Sequence, residues 1–143
     1  LGEGGDYDKA LLALVSSANI SCGAHAGSDA DIRTALLTAK QQHVRIGAHP
    51  SYPDRDNMGR KAMAMSAKQL RQTILEQLTR LHNMASETSA IIRFVKPHGA
   101  LYNQAARDLS LARQVADAVR IFDDSLALVG QVANCCVPAR TPD

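Results

Sequence analysis

The 143-residue sequence has no tryptophan, and only three tyrosines and two phenylalanines. A core built on aromatic side chains is thereby excluded. Leu, Ile, Val, Ala and Met have to fill it, which suits alternating helices and strands better than an aromatic-rich β-sandwich. Cysteine is scarce as well: Cys22, Cys135 and Cys136 are odd in number and form no C-x-x-C pair. That excludes a disulfide framework or zinc knuckle and points to a reducing, cytoplasmic setting. No apolar run approaches the ~20 residues of a membrane span. Charge of one sign is missing too: 16 basic residues face 14 acidic ones, a net charge of +2, too little to imply a nucleic-acid partner. The acidic, Gly-rich start, Leu1 to Asp8, lacks the character of a signal peptide. Neither G-x-x-x-x-G-K-[ST] nor G-x-G-x-x-G is present, so no nucleotide fingerprint is offered.

What is present is an alternation. Val15 to Ile20 reads as a strand, followed by a Gly-containing loop from Cys22 to Gly27. Ser28, with Asp31 three residues on, is an acidic capping box opening a helix that ends near Gln42. Val44 to Ala48 is a second strand, and His49 to Lys61 a long polar loop. Ser66 with Gln69 caps the next helix, in which Leu70, Ile74, Leu78 and Leu81 form one apolar stripe. Ile91 to Val95 is a third strand, Asp108 to Phe122 a helix, and Leu126 to Val129 a fourth strand. Long crossovers between short apolar strands imply parallel pairing. The fold class is α/β, with residues 1–130 as one domain and 131–143 as an irregular tail.

Three of the five histidines occupy equivalent places. His25 follows the first strand, His49 the second and His98 the third. In parallel α/β folds these positions share the C-terminal edge of the sheet, where ligands bind. Neutral imidazoles can hold a divalent transition metal with a position left for water, and they can act as general acid or base near neutral pH. Both readings stay open on the residues alone. His43, at a helix end, and His82, inside a helix, fall elsewhere. Glu3, Asn19, Arg60, Tyr102 and Asn103 are candidate binding residues on the same rim. Lys96, before Pro97-His98, could neutralise a developing negative charge. Cys22 reads as a small buried filler.

At these residues the sequence resembles the LamB/YcsF family, that of the 5-oxoprolinase A subunit. The stretches that carry the likeness are Leu1 to Gly4, Leu14 to Gly27 (LVSSANISCGAHAG), Ile46 to Asp54 (IGAHPSYPD) and Val95 to Asn103 (VKPHGALYN). The resemblance implies a parallel (β/α) barrel of the glycoside hydrolase/deacetylase type, incomplete in this chain because a full barrel takes ~250 residues. It implies ATP-dependent cleavage of 5-oxoproline (pyroglutamate) to L-glutamate in bacteria, with partner subunits B and C. The motif histidines carry over as His25, His49 and His98, with Glu3, Asn19 and Lys96 beside them, and the three histidines and Lys96 are the expected catalytic residues. ATP and a divalent metal, zinc or magnesium on the three histidines, are the expected cofactors. A metal-dependent deacetylase-like hydrolase is the alternative, and a non-catalytic partner-binding fragment, which would self-associate, is a third. The family has a strand bearing Asp-Leu-Asn upstream of the position of Leu1 and continues well past Gly130. It has Phe where Ala24 stands and Gly-Phe where Asn57-Met58 stand.

Overall fold

The computed structural model describes residues 1–131; the expected irregular tail falls almost entirely outside them, as do Cys135 and Cys136. The elements, in chain order, are helix α1 (Asp8–Leu12), strand β1 (Ser17–Ser21), helix α2 (Asp29–Gln41), strand β2 (Arg45–His49), helix α3 (Ala67–Glu87), strand β3 (Ile92–Val95), helix α4 (Gly99–Ala105), helix α5 (Leu109–Phe122) and strand β4 (Ala127–Leu128). The four strands pair in sequence order, all parallel. Successive units of this kind are those of a parallel (β/α) barrel, here incomplete.

Local chemistry sets the helix boundaries. Ser28 accepts from the Asp31 amide, while the Asp31 carboxylate accepts from the Ser28 amide at 2.9 Å. Ser66 and Gln69 make the same reciprocal pair at α3. Each satisfies two amides that a helix start otherwise leaves without partners. Asp108 caps α5 through the Leu111 amide. Two helices escape the sequence reading. Helix α1 lies in the acidic start and has no side-chain cap. Helix α4 is seven residues long and occupies what reads as loop after Pro97. Strand β4 is shorter than expected because it pairs on one side only, with β3, and its two residues are exposed.

The core lies between one face of the sheet and the helices. Ala18, Ile20, Ile46, Ala48 and Val95 project to it from the strands, and Ile32, Leu36 and Ala39 from α2. The α3 stripe of Leu70, Ile74, Leu78 and Leu81 is buried in full, as expected, and Val115, Ala118 and Val119 bring in α5. Leu111 packs at the margin of this cluster.

The opposite face carries Asn19 opposite Gly47 and Gly47 opposite Phe94. Gly47 is needed there: a side-chain carbon at this position would collide with the Phe94 ring lying across the strand. Gly47→Ala should therefore displace the ring and destabilise the chain by about 1–3 kcal/mol, the usual cost of overpacking. A lowered urea midpoint measures this; an unchanged one removes the role given to the Phe94–Gly47 contact.

Candidate active site

Parallel pairing brings the ends of β1, β2 and β3 to one edge, and the loops that follow are knitted together there. Ser21, the last residue of β1, folds the first loop: its hydroxyl donates to the Ala26 carbonyl at 2.8 Å and accepts from the Gly23 amide at 3.0 Å. Arg55, from the second loop, donates to the carbonyls of Gly23 at 2.7 Å and Gly27 at 3.3 Å. The second and third loops meet at Gly59 and Gly99, both in the left-handed region. A side chain on Gly99 would strike the Gly59 carbonyl, which accepts from the Ala100 amide at 3.0 Å.

These contacts bring the three histidines together. The His25 and His98 rings stack at 4.0 Å with 10° between their planes. His49 stands edge-on to both, at 4.8 Å from His98 and 6.0 Å from His25. His43 and His82 lie apart, as expected. His43 takes a positive φ after the end of α2, and His82 sits on α3 against the Phe122 ring.

The hydrogen bonds of the trio define where its protons sit. His49 Nδ1 donates to the Lys96 carbonyl at 2.5 Å, and His98 Nε2 donates to the Met58 carbonyl at 2.8 Å. A carbonyl can only accept, so both protons are fixed. His49 Nε2 and His98 Nδ1 then face each other at 3.0 Å. That contact is a hydrogen bond only when the pair holds a third proton; without it, two lone pairs point together. Burial, with the neighbouring histidines adding to it, holds His49 down at about 4, and burial likewise lowers His98. The pair is thus neutral near pH 7 and positioned to accept a proton.

His25 is of another kind. It is 1% exposed, with Nδ1 at 2.9 Å from the Ser51 hydroxyl and Nε2 at 3.4 Å from the Glu3 carboxylate. The hydrogen bond from His25 holds Glu3 at about 2, against the opposing effect of burial. Glu3 is therefore a carboxylate under all ordinary conditions.

The remaining candidates divide. The Lys96 ammonium lies over the Tyr102 ring, 5.3 Å from its centre. Tyr102 and Asn103 belong to α4 rather than to a loop, and Asn103 is exposed. Asn19 sits mid-strand in β1 with its side-chain oxygen buried and without a hydrogen bond among the described residues. Arg60 is exposed and makes no side-chain hydrogen bond or ion pair among the described residues, and its charge helps to lower His98. The arginine that engages the site loops is Arg55. Cys22 is 1% exposed, and burial raises its thiol to about 12, so it is an inert filler as expected.

The metal expected on the histidines does not match these residues as they stand. Both ring nitrogens of all three histidines face partners in the protein, and among the described residues no group of three or more His, Cys, Asp or Glu side chains is placed to hold a metal ion. The Gly23 to Gly27 loop is not a phosphate cradle: Arg55 covers its carbonyls, and the Gly2 carbonyl fills the space beside Gly27. Among the described residues no helix is long and apolar enough to cross a membrane.

With this geometry in view, comparison with known proteins decides the family. The LamB/YcsF family matches residues 2–140. The chain belongs to the LamB/YcsF family. It is 50% identical over 130 residues to the 5-oxoprolinase A subunit of Haemophilus influenzae (strain PittEE), covering 91% of this chain and 53% of that protein. It is 51% identical over 129 residues to the one from Neisseria meningitidis serogroup C (strain 053442), covering 90% and 53%. Among solved structures, the lactam utilization protein of Thermus thermophilus superposes with a TM-score of 0.87 at 40% identity, covering 90% of this chain and 52% of that one. This LamB/YcsF chain thus spans about half the length of the relatives it matches.

Two site residues are absent from the sequence-based candidates. Ser51 and Gln77 are both buried polar residues, at 0% and 6% exposure, linked to each other and to His25. The signal for Gln77 was its place on the apolar side of α3, between Ile74 and Leu78.

The shifts above fix how stability depends on pH. His49's folded value lies below its ordinary 6.5, so between 6.5 and about 4 the unfolded chain binds a proton that the folded chain refuses. Stability should fall with pH through that window, by at most about 3 kcal/mol from His49. It should fall again from 4.5 towards 2 as Glu3 protonates in the unfolded chain. Urea midpoints from pH 7 to 3 test this, and His49→Gln, which cannot titrate, should flatten the upper window.

Proposed function

We propose that this chain is the histidine-bearing portion of a 5-oxoprolinase A subunit, which acts with partner subunits B and C in ATP-dependent opening of 5-oxoproline to L-glutamate. The observation that carries the reading is the trio of histidines, drawn from the ends of three strands to ring separations of 4.0–6.0 Å, in a chain whose relatives bear that name.

A lactam resists water because amide resonance stabilises its ground state, so both the water and the leaving nitrogen need help. The His49–His98 pair supplies the first kind. A water at its facing nitrogens gives up a proton to become the attacking oxygen, and that proton makes the missing hydrogen bond between the two rings. The carbonyl oxygen then gains negative charge, and the Lys96 ammonium, over the Tyr102 face, is the cation that meets it. The second kind falls to His25. Beside the ionised Glu3 its Nε2 holds a proton, which passes to the ring nitrogen as the carbon–nitrogen bond breaks, giving the free amine of glutamate. These side chains account for hydrolysis of the amide; dependence on ATP is a property proposed for the whole enzyme.

The test uses the complete protein combined with its partners. His98→Ala should lower ATP-dependent glutamate release by roughly 100-fold or more, the scale of a lost general base. Turnover at the parent rate would remove the trio from the mechanism.

A further inference from the structure

One turn in the second loop bears on two of the three histidines. The Arg55 carbonyl accepts from the Met58 amide at 3.2 Å, and the Asp54 carbonyl accepts from the Gly59 amide at 2.7 Å. The Asp54 carboxylate fastens the turn, accepting from the Asn57 side-chain nitrogen at 2.7 Å and from the Lys61 amide at 3.2 Å. Met58 is held at a φ of 54°, a left-handed conformation that residues other than glycine keep only where their surroundings impose it. Two groups leave this turn towards the site. The Met58 carbonyl accepts from His98 Nε2 at 2.8 Å. The Arg55 guanidinium reaches the first loop, where Nη1 donates to the Gly23 carbonyl at 2.7 Å and to the Gly27 carbonyl at 3.3 Å, and Nη2 donates to the Gly27 carbonyl at 3.3 Å. Gly23 and Gly27 stand two residues before and two residues after His25, so one side chain closes the loop on both sides of the ring it carries. Gly59 lies against both histidines: a side-chain carbon there would stand 2.9 Å from His25 Cβ and 3.1 Å from His98 Cδ2.

We propose that the 54–59 turn sets the spacing of His25 and His98, and that Arg55 is the positioning residue through which it holds the His25 loop. The chemistry of the side chain suits the task. A guanidinium is a planar fork whose donors are fixed relative to one another, so bridging two carbonyls sets the width of the loop as well as its place. The other contacts of this loop do something different. Ser21 ties it to β1, and Arg80 ties it to α3 by donating to the Cys22 carbonyl at 3.4 Å. Ser51 touches one edge of the His25 ring. Arg55 is what refers the backbone carrying that ring to the same turn that holds His98. The kinetic consequence rests on the 5-oxoprolinase reading; the positioning does not.

Proton NMR of this chain reads the stack directly, because rings 4.0 Å apart shift each other's ring protons upfield. His25→Asn and His98→Asn identify the signals. Arg55→Ala, and Arg55→Met, which keeps a long stem without donors, should move the His25 and His98 ring protons downfield and weaken the cross-relaxation between the rings. The urea midpoint should stay close to the parent's, because Arg55 is exposed. Methylguanidinium added to Arg55→Ala should restore the native ring signals, and methylammonium, of the same charge without the fork, should not. Unchanged ring signals in the two variants overturn the proposal, as does equal rescue by the two cations, which would make charge alone the cause. In the complete enzyme with its partners, Arg55→Ala should lower kcat by about 10- to 100-fold with KM little changed, the scale of a misplaced reacting group, and methylguanidinium should recover part of the loss. A displaced stack with turnover at the parent rate would refute the part given to the trio in the 5-oxoprolinase reading while leaving the positioning role standing.

Discussion

Parallel pairing of β1, β2 and β3 is the constraint from which the rest follows. A strand that must lie parallel to its predecessor forces the chain to return along the far side of the sheet, and a helix makes that return while burying the sheet's apolar face. Each strand then ends on the same edge. His25, His49 and His98 are separated by 24 and 49 residues in the chain, yet His49 is the last residue of β2 and the other two lie in the loops just after β1 and β3, so their rings come to lie within 6.0 Å. A slip of one residue in the β1–β2 register would turn one strand over relative to the other, so that Ser21 and His49 would no longer share a face and the trio would be dismantled.

The parts of the fold legible in the sequence were those encoded locally. Ser28 with Asp31 and Ser66 with Gln69 are helix starts whose whole logic spans four residues. The spacing of Leu70, Ile74, Leu78 and Leu81 reports a buried face without reference to what covers it. Position after a strand end was enough to group the three histidines. What escaped was encoded at a distance. Gln77 reads as a flaw in an apolar stripe until Ser51, 26 residues earlier, is seen to need both of its amide groups. Of the two arginines in the long loop, nothing local distinguishes Arg55, which reaches the first loop, from Arg60, which does not. Gly47 has meaning only once Phe94 lies across it. Helix α4 follows a proline and carries no capping side chain; its position is set by the Gly59–Ala100 backbone contact instead.

The site concentrates imidazoles with little negative charge to balance them. Three rings lie together, and the carboxylate within hydrogen-bond reach of the trio is Glu3. Charging any ring therefore opposes charging the others, and burial adds to this at His49 and His98. Glu3 breaks the symmetry by pairing with His25 alone. One cluster thus contains two kinds of imidazole, a pair whose nitrogens face each other and a ring that faces a carboxylate, distinguished by what each touches rather than by residue type. Pairs of titratable groups whose surroundings separate their proton affinities are the usual arrangement for acid and base work at one pH.

The rigidity this requires comes from hydrogen bonds that tie each ring to the backbone, directly or through other side chains. An unsupported loop histidine would sample several rotamers, each placing its nitrogens differently. Here each ring is referred to a fixed backbone group: His49 to the Lys96 carbonyl at the end of β3, His98 to Met58, and His25, through Ser51 and Gln77, to α3. Helix α3 also carries more buried residues than any other helix among the described residues, and it holds the most buried of the three rings. The same logic explains a polar residue in its apolar stripe. Leucine at position 77 would add burial to the core, but it would leave the Ser51 amide and carbonyl without partners in a region closed to water. Two orphaned backbone groups cost more than one buried methyl-rich side chain returns. Fold stability and site geometry therefore select the same residue at this position.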